Sequence, residues 1–373
     1  MATLFDYLKW RGDISVCHSR FNEIDALILS EISYLDFKGL APRDFNGHVT
    51  LGELSDAFFA DTKRSSRSLG LIIPKSVYDI FKNAANTRRF SEMKVLSFVS
   101  ETDEARHKQF SAMAIETGDR HLFLVYRGTD DTIVGWKENF SMSYSDTVPA
   151  QLDAKAFLDR AAERFPSMPI RLGGHSKGGN LAMFSALHSS EAIRARISAI
   201  YCFDGPGFSK SITENKNYRA LGDRIFTFVP QNSIVGLLLS YDTNYVTVKS
   251  SAIGIYQHDA LTWKVNVTSF DLLPENSKNN LRNDAIIKNW LSAYTPEERR
   301  EFTEVLFELL ESSGAKTLTD LSVISIERAR DTVSAINRLD KEKKKMLLDV
   351  WGLLIKESIF VKSKSYLGKK TKK

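Results

Sequence analysis

The stretch "RLGGHSKGGN", residues 171–180, sets Ser176 between Gly174 and Gly178, with Gly173 and Gly179 outside them. Glycine loses more backbone freedom on folding than any other residue. Four within seven residues mark a backbone bent where side chains would collide. The apolar run "MPIRLGG" leads into the serine, and "GNLAMFSALHSS" follows it with helical texture. A strand turning sharply into a helix would hold the serine oxygen clear of the sheet, with helix N-terminal amides behind it. That geometry suits nucleophilic attack, the backbone N–H of Lys177 receiving the developing oxyanion. A phosphate loop does not fit, because it requires Gly-Lys followed by Ser or Thr. A glycine-rich strand–helix turn without chemistry is the plain alternative.

A serine hydroxyl needs a base to take its proton. For a serine on such an elbow the chain order is serine, acid, histidine. That order removes His18, His48, His107 and His121. His175 is the elbow neighbour with its backbone already committed. His188 falls roughly 18 Å down the following helix at 1.5 Å per residue. His258, in "GIYQHDALTW", is left as the base, against the reading of a surface histidine beside Asp259. A second oxyanion donor is expected from the loop after "HLFLVYRG", where Thr129 can present its backbone N–H and its hydroxyl. Arg127 reads as an anchor for that loop.

The acid is the open position. The carboxylates between Ser176 and His258 are Glu191, Asp204, Glu214, Asp223 and Asp242. Asp223 precedes "RIFTFV" and so lies at the wrong end of a strand, since sites in parallel sheets form at carboxyl ends. Glu191 falls at the far end of the elbow helix, and Glu214 in a polar loop. Asp204 ends "ISAIYCFDG", one strand from the elbow, and adjacent strands are only about 4.8 Å apart. Asp204 equally suits a turn before "GPG", and Asp242 is the reserve.

Six short apolar runs, "MKVLSFVS", "FSAMAIET", "HLFLVYRG", "MPIRLGG", "ISAIYCFDG" and "RIFTFVP", read as strands with helical segments between the later ones. "YVTVKSS" and "ALTWKVNV" extend the series. Strands alternating with helices predict an α/β core with a mostly parallel sheet. The expected division is a helical segment over residues 1–90 packed on the core, the core over 91–273, and a helical extension over 274–373. In the first part, Phe21, Ile24, Ile28, Ile32 and Leu35 form one inward stripe, and Thr50 with Glu53 has capping-box spacing. In the last, Thr295, Pro296, Glu298 and Gly314 punctuate a helix. Two amphipathic segments follow, Ile326 to Ile336 and Met346 to Leu354.

A hydrophobic content of 43% with 26% charged residues fits a globular chain. The net charge of +5 is concentrated in the end "VKSKSYLGKKTKK", which reads as a solubilising tail with at most weak membrane-surface contact. Nucleic-acid binding is not expected. Two cysteines, Cys17 and Cys202, make neither a disulfide framework nor a zinc cluster. Asp6 and Lys9 interrupt the apolar run a signal peptide needs, which points to a cytoplasmic protein. No metal and no organic cofactor is implied, since neither ligand spacing nor a dinucleotide fingerprint occurs.

"YRGT…GW" followed by "GGHSKGGNLA" resembles the class 3 lipases, with their "FRGT"-type oxyanion loop and "GHSLGG"-type elbow. Over most of the chain to about residue 265, "DYLKWRGD", "FNEIDALILSEISYLDF", "FDGPGF", "VPQNSIVG" and "YQHDALTW" are similar to a bacterial lipase-like family, the Mbeg-like proteins. The resemblance implies an α/β-hydrolase fold, with Ser176, His258 and Thr129 at the nucleophile, base and oxyanion positions. Two departures stand out. Lys177 replaces the usual leucine, setting a charge beside the nucleophile that disfavours a purely lipid-facing mouth. The turn that carries the class 3 acid is here "PQNSIVG", with Asn232 and Ser233 and no carboxylate. The expected function is serine-mediated cleavage of an ester, thioester or lipid acyl bond in a small-molecule or lipid substrate. A non-catalytic module on the same fold and a serine peptidase are the alternatives.

Overall fold

The computed structural model describes residues 2–322 and 341, apart from 209, 238, 240–244, 275–279, 281–286, 288, 290 and 313. Eight strands make one sheet whose spatial order follows chain order: β1 (Val49–Thr50), β2 (Lys94–Asp103), β3 (Lys108–Glu116), β4 (Leu122–Tyr126), β5 (Ile170–His175), β6 (Ile197–Phe203), β7 (Ile225–Pro230) and β8 (Val246–Val248). Neighbours pair antiparallel from β1 to β4 and parallel from β4 to β8. Each of the six apolar runs is a strand, and "YVTVKSS" supplies β8. "ALTWKVNV" departs from expectation. The Asp259 carboxylate caps the Leu261 N–H at 3.0 Å and the Trp263 indole reaches the Gln257 carbonyl at 2.8 Å. The chain curls there into a 3-10 turn, and Val265–Asn266 pairs outside the sheet with Ser269–Phe270.

Parallel neighbours need crossover connections, and these are right-handed. Because β4 to β8 advance in one direction, their crossover helices fall on one face. Helices Pro149–Arg164, Lys177–His188 and Lys216–Leu221 bury their apolar sides there, against Leu122, Leu124 and Tyr126 of β4. Phe123 and Val125 alternate to the opposite face, as strand geometry requires, and pack with the N-terminal helices. The sheet therefore lies between two helical layers, the architecture of an α/β-hydrolase.

The N-terminal layer is wired in by polar groups as well as apolar ones. Helix Glu23–Ile32 opens on the Asn22 cap, whose side chain accepts from the Ile24 amide at 2.9 Å, and every residue after Glu23 is buried. The predicted apolar stripe is thus only part of its buried surface, which also takes in Asp25, Ser30 and Glu31. Asp25 accepts both Arg89 forks at 2.6 and 2.5 Å and the Tyr7 hydroxyl at 2.7 Å. The other Arg89 donors reach the carbonyls of Ile14, Ser19 and Arg20. A buried pair this fully hydrogen-bonded leaves little charge uncompensated.

Helix Pro296–Ser312 begins on the predicted box, with the Thr295 amide 2.6 Å from Glu298 Oε2 and the Glu298 amide 3.2 Å from Thr295 Oγ1. The chain turns after it at Gly314, φ 74°. The segments around Ile326–Ile336 and Met346–Leu354, the basic tail and Asp242 lie outside the described residues. Among the described residues no helix is long and apolar enough to cross a membrane.

Both helical additions grip the loop after β4 through one side chain. Asp131 accepts the Leu71 amide at 3.1 Å with one carboxylate oxygen and the Thr319 amide at 3.0 Å with the other, while its carbonyl takes the Leu318 amide at 2.9 Å. Hydrogen bonds to a buried charge contribute about 1.5–3 kcal/mol each. Asp131→Ala removes two of them and should therefore lower the melting temperature by roughly 4–8 °C, at about 1.3 °C per kcal/mol for a chain of 373 residues. A thermal melt within a degree of wild type would show that this clamp contributes nothing.

Candidate active site

Ser176 follows the last residue of β5 and caps helix Lys177–His188 with φ 56° and ψ −132°. A non-glycine residue there is strained and persists only where its surroundings over-determine it. Its amide donates to the Phe203 carbonyl of β6 at 2.8 Å, and its carbonyl accepts from Gly179 at 2.9 Å. The flanking glycines answer to close approach. A Cβ on Gly174 would lie 2.5 Å from the carbonyl oxygens of both Gly178 and Tyr126, and one on Gly178 would overlap the Tyr126 carbonyl. Strand β4, strand β5 and the elbow helix thus meet backbone to backbone. Ser176 itself is 8% exposed.

The structure brings Asp204 and His258 together. Asp204 leaves the end of β6 with φ 48°, a left-handed conformation that Asp tolerates better than most residues. The turn-forming role and contact with the histidine therefore coincide at one position. Its Oδ2 is 2.6 Å from His258 Nδ1. Its Oδ1 accepts from the Ser233 hydroxyl at 2.5 Å and from the Gly236 amide at 3.1 Å. Ser233 stands in the turn after β7, where the resemblance located the missing acid. It supplies a donor to a carboxylate that comes from the neighbouring strand. The Ser233 amide is in turn held by Asn280 Oδ1 at 2.9 Å, and Asn280 Nδ2 by the Pro230 carbonyl at 2.9 Å. His258 closes the short turn Gly254–His258, and Gln257 beside it reaches the Asn232 amide at 2.9 Å.

Glu191 and Asp223 lie elsewhere. Glu191 starts the next short helix, Glu191–Arg196, rather than closing the elbow helix, and Asp223 precedes β7. His188 ends the elbow helix stacked on Phe184, its ring centroid 3.9 Å away.

The loop after β4 abuts the elbow, for a Cβ on Gly128 would lie 3.1 Å from Ser176 Cβ. Arg127 pairs with Asp130 at 3.0 Å, and Asp130 accepts the Thr132 amide at 3.0 Å, so the loop anchors on itself. Thr129 is buried, and its hydroxyl accepts from Asn139 Nδ2 at 2.5 Å. Accepting that bond leaves the Thr129 O–H to donate, alongside its backbone amide. Among the described residues, neither the Thr129 nor the Lys177 amide has a hydrogen-bond partner.

The Lys177 side chain overturns the expectation of a charge at the mouth. It runs inward with no exposure and pairs with Glu138 at 2.8 Å. Its other bonds go to the Gln109 carbonyl at 2.7 Å and Gln109 Oε1 at 3.0 Å. Glu138 also accepts the Gln109 amide at 3.1 Å and the Ala150 amide at 2.8 Å. One buried ion pair therefore joins the elbow to β3 and to two helices, Ile133–Ser141 and Pro149–Arg164. Nothing in the spacing of Glu138 marks it in the sequence, since its partner lies far along the chain.

Removing one partner of a buried pair strands the other charge, at a cost of about 3–5 kcal/mol. Lys177→Met should lose that much in urea unfolding, and Lys177→Met with Glu138→Gln should recover part of it. A loss below about 1 kcal/mol, the range of exposed pairs, would contradict the buried pairing.

Several solved structures are similar to part of the chain. The Rhizomucor miehei lipase propeptide complex is 15% identical over 56% of this chain and 68% of its own, with a TM-score of 0.36. A mutant form of MDLA from Penicillium cyclopium is 12% identical over 69% and 87%, with a TM-score of 0.39. A triacylglycerol lipase described as having a serine protease triad at its catalytic centre is 17% identical over 61% and 78%, with a TM-score of 0.37. No curated protein matches the chain. Residues 84–308 match the family model described as Mbeg1-like, and the chain belongs to that family.

Proposed function

We propose that the protein is a serine hydrolase that cleaves an acyl ester, thioester or lipid acyl bond through an acyl-enzyme. The observation that carries this reading is the Asp204 Oδ2 to His258 Nδ1 contact of 2.6 Å beside a serine on a strained elbow. Asp204 fixes the tautomer of His258 by accepting from Nδ1–H, which leaves Nε2 to take the Ser176 proton. The Ser176 oxygen then bonds to the acyl carbon. The Thr129 and Lys177 amides receive the oxyanion, and His258 returns the proton to the departing alcohol or thiol. Water, deprotonated by the same nitrogen, releases the acid and restores the serine. Asp204 needs no protonation in this cycle, and its other oxygen is held by the Ser233 hydroxyl and the Gly236 amide.

Ser176→Ala and His258→Ala should each reduce hydrolysis of acyl esters by several orders of magnitude. The double variant should be little worse, because triad members act as a unit. Asp204→Asn should retain the Ser233 and Gly236 contacts on its carbonyl oxygen and present an amide to His258 Nδ1. It should lose activity by roughly 10⁴-fold with its melting temperature nearly kept. Assays on esters of graded acyl length check all three. Full activity in Asp204→Asn would remove Asp204 from the mechanism, and an inactive wild type across the series would favour the non-catalytic module.

A further inference from the structure

His175, set aside as a base in the sequence, lies directly behind His258. The two rings stack with centroids 4.6 Å apart and planes inclined by 33°. His175 Nε2 is 2.9 Å from the His258 carbonyl oxygen. A carbonyl only accepts, so Nε2 carries a proton. Burial, with His258 adding to it, pulls His175 well below the usual histidine range, and the ring is therefore neutral. A neutral ring protonated on Nε2 has a bare Nδ1. Two oxygens face that nitrogen, the Tyr34 hydroxyl at 3.1 Å and Glu31 Oε1 at 3.4 Å. Burial and the nearby Asp259 raise the Glu31 carboxyl well above its usual value, and a neutral ring offers it no ion pair. Glu31 Oε1 has no hydrogen-bond partner. Tyr34 is left as the donor to Nδ1.

The same hydroxyl touches the other half of the site. It stands against Gly128, at the point where any Cβ on that residue would collide with it. Tyr34 is 6% exposed, and its ring meets His175 edge-on, centroids 6.0 Å apart. The titratable groups around it are Glu31, Arg127 and Asp130.

We infer that Tyr34 is a positioning residue: through His175 it aims the backbone of His258, and through Gly128 it seats the oxyanion loop against the elbow. One hydroxyl from the N-terminal layer thereby sets both sides of Ser176. The chain of donors runs from Tyr34 O–H to His175 Nδ1, then from His175 Nε2–H to the His258 carbonyl. Loss of the hydroxyl leaves a buried Nδ1 without its donor and lets the ring turn toward Glu31, the other group facing that nitrogen. His258 then loses its donor. The positioning stands on these contacts alone, and its effect on turnover rests on the serine-hydrolase reading.

The test is nitrogen NMR of the intact protein labelled at its seven histidines, with Tyr34→Phe and His175→Gln. His175 should remain the neutral Nε2–H tautomer through the range in which an ordinary histidine titrates, because burial depresses its own ionisation. Tyr34→Phe should shift the His175 ring signals and the His258 ring signals as well. In ester hydrolysis, Tyr34→Phe should lower kcat roughly 10- to 100-fold with KM little changed. His175→Gln, whose amide N–H can replace Nε2–H, should retain more activity than His175→Phe. A His175 protonated on Nδ1, or His258 signals unmoved in Tyr34→Phe, would overturn the positioning. An inactive wild type with the expected spectra would instead remove the hydrolase reading and keep the positioning.

Discussion

The short hydrogen bond between Asp204 and His258 is the constraint on which the rest of the site depends. A buried carboxylate beside a histidine is stable only when its remaining lone pairs are satisfied. Ser233 and Gly236 do this from the turn after β7, and Asn280 holds Ser233. The carboxylate thus stands at the end of β6 while the β7 turn supplies donors to it. Because adjacent parallel strands are about 4.8 Å apart, the same histidine nitrogen is reached from either.

A second constraint lies beneath Ser176. Ser176 has a strained backbone, and strain at one residue persists only if its neighbours cannot relax. Backbone contact among Gly174, Gly178 and Tyr126 closes one side. The Lys177–Glu138 pair, buried with Gln109 and the Ala150 amide, closes another. Lysine in place of an apolar residue after the serine therefore changes how the elbow is fastened to the sheet. It leaves the mouth without the charge that the sequence pattern suggests.

The six core strands were legible because each is a short apolar run buried on both faces, and the elbow because only close backbone approach explains its glycines. Chain order isolated His258, and strand direction singled out Asp204 from the other carboxylates. The supporting groups were not legible in this way. Glu138, Ser233, Tyr34 and Asp131 act on partners brought near by the fold, at sequence separations that no local pattern records. One signal was present: in "LILSEISYL" a carboxylate interrupts an otherwise apolar helix. Such a residue is either exposed or engaged, and the burial of Glu31 beside His175 shows the second.

The most direct test of the account is the site of covalent capture by a fluorophosphonate, which reacts with a serine only when a base activates it. Peptide-mapping mass spectrometry of the treated protein should find a single phosphonyl adduct, on the peptide that contains Ser176. No adduct on that peptide, or an adduct on a different serine, would contradict the account.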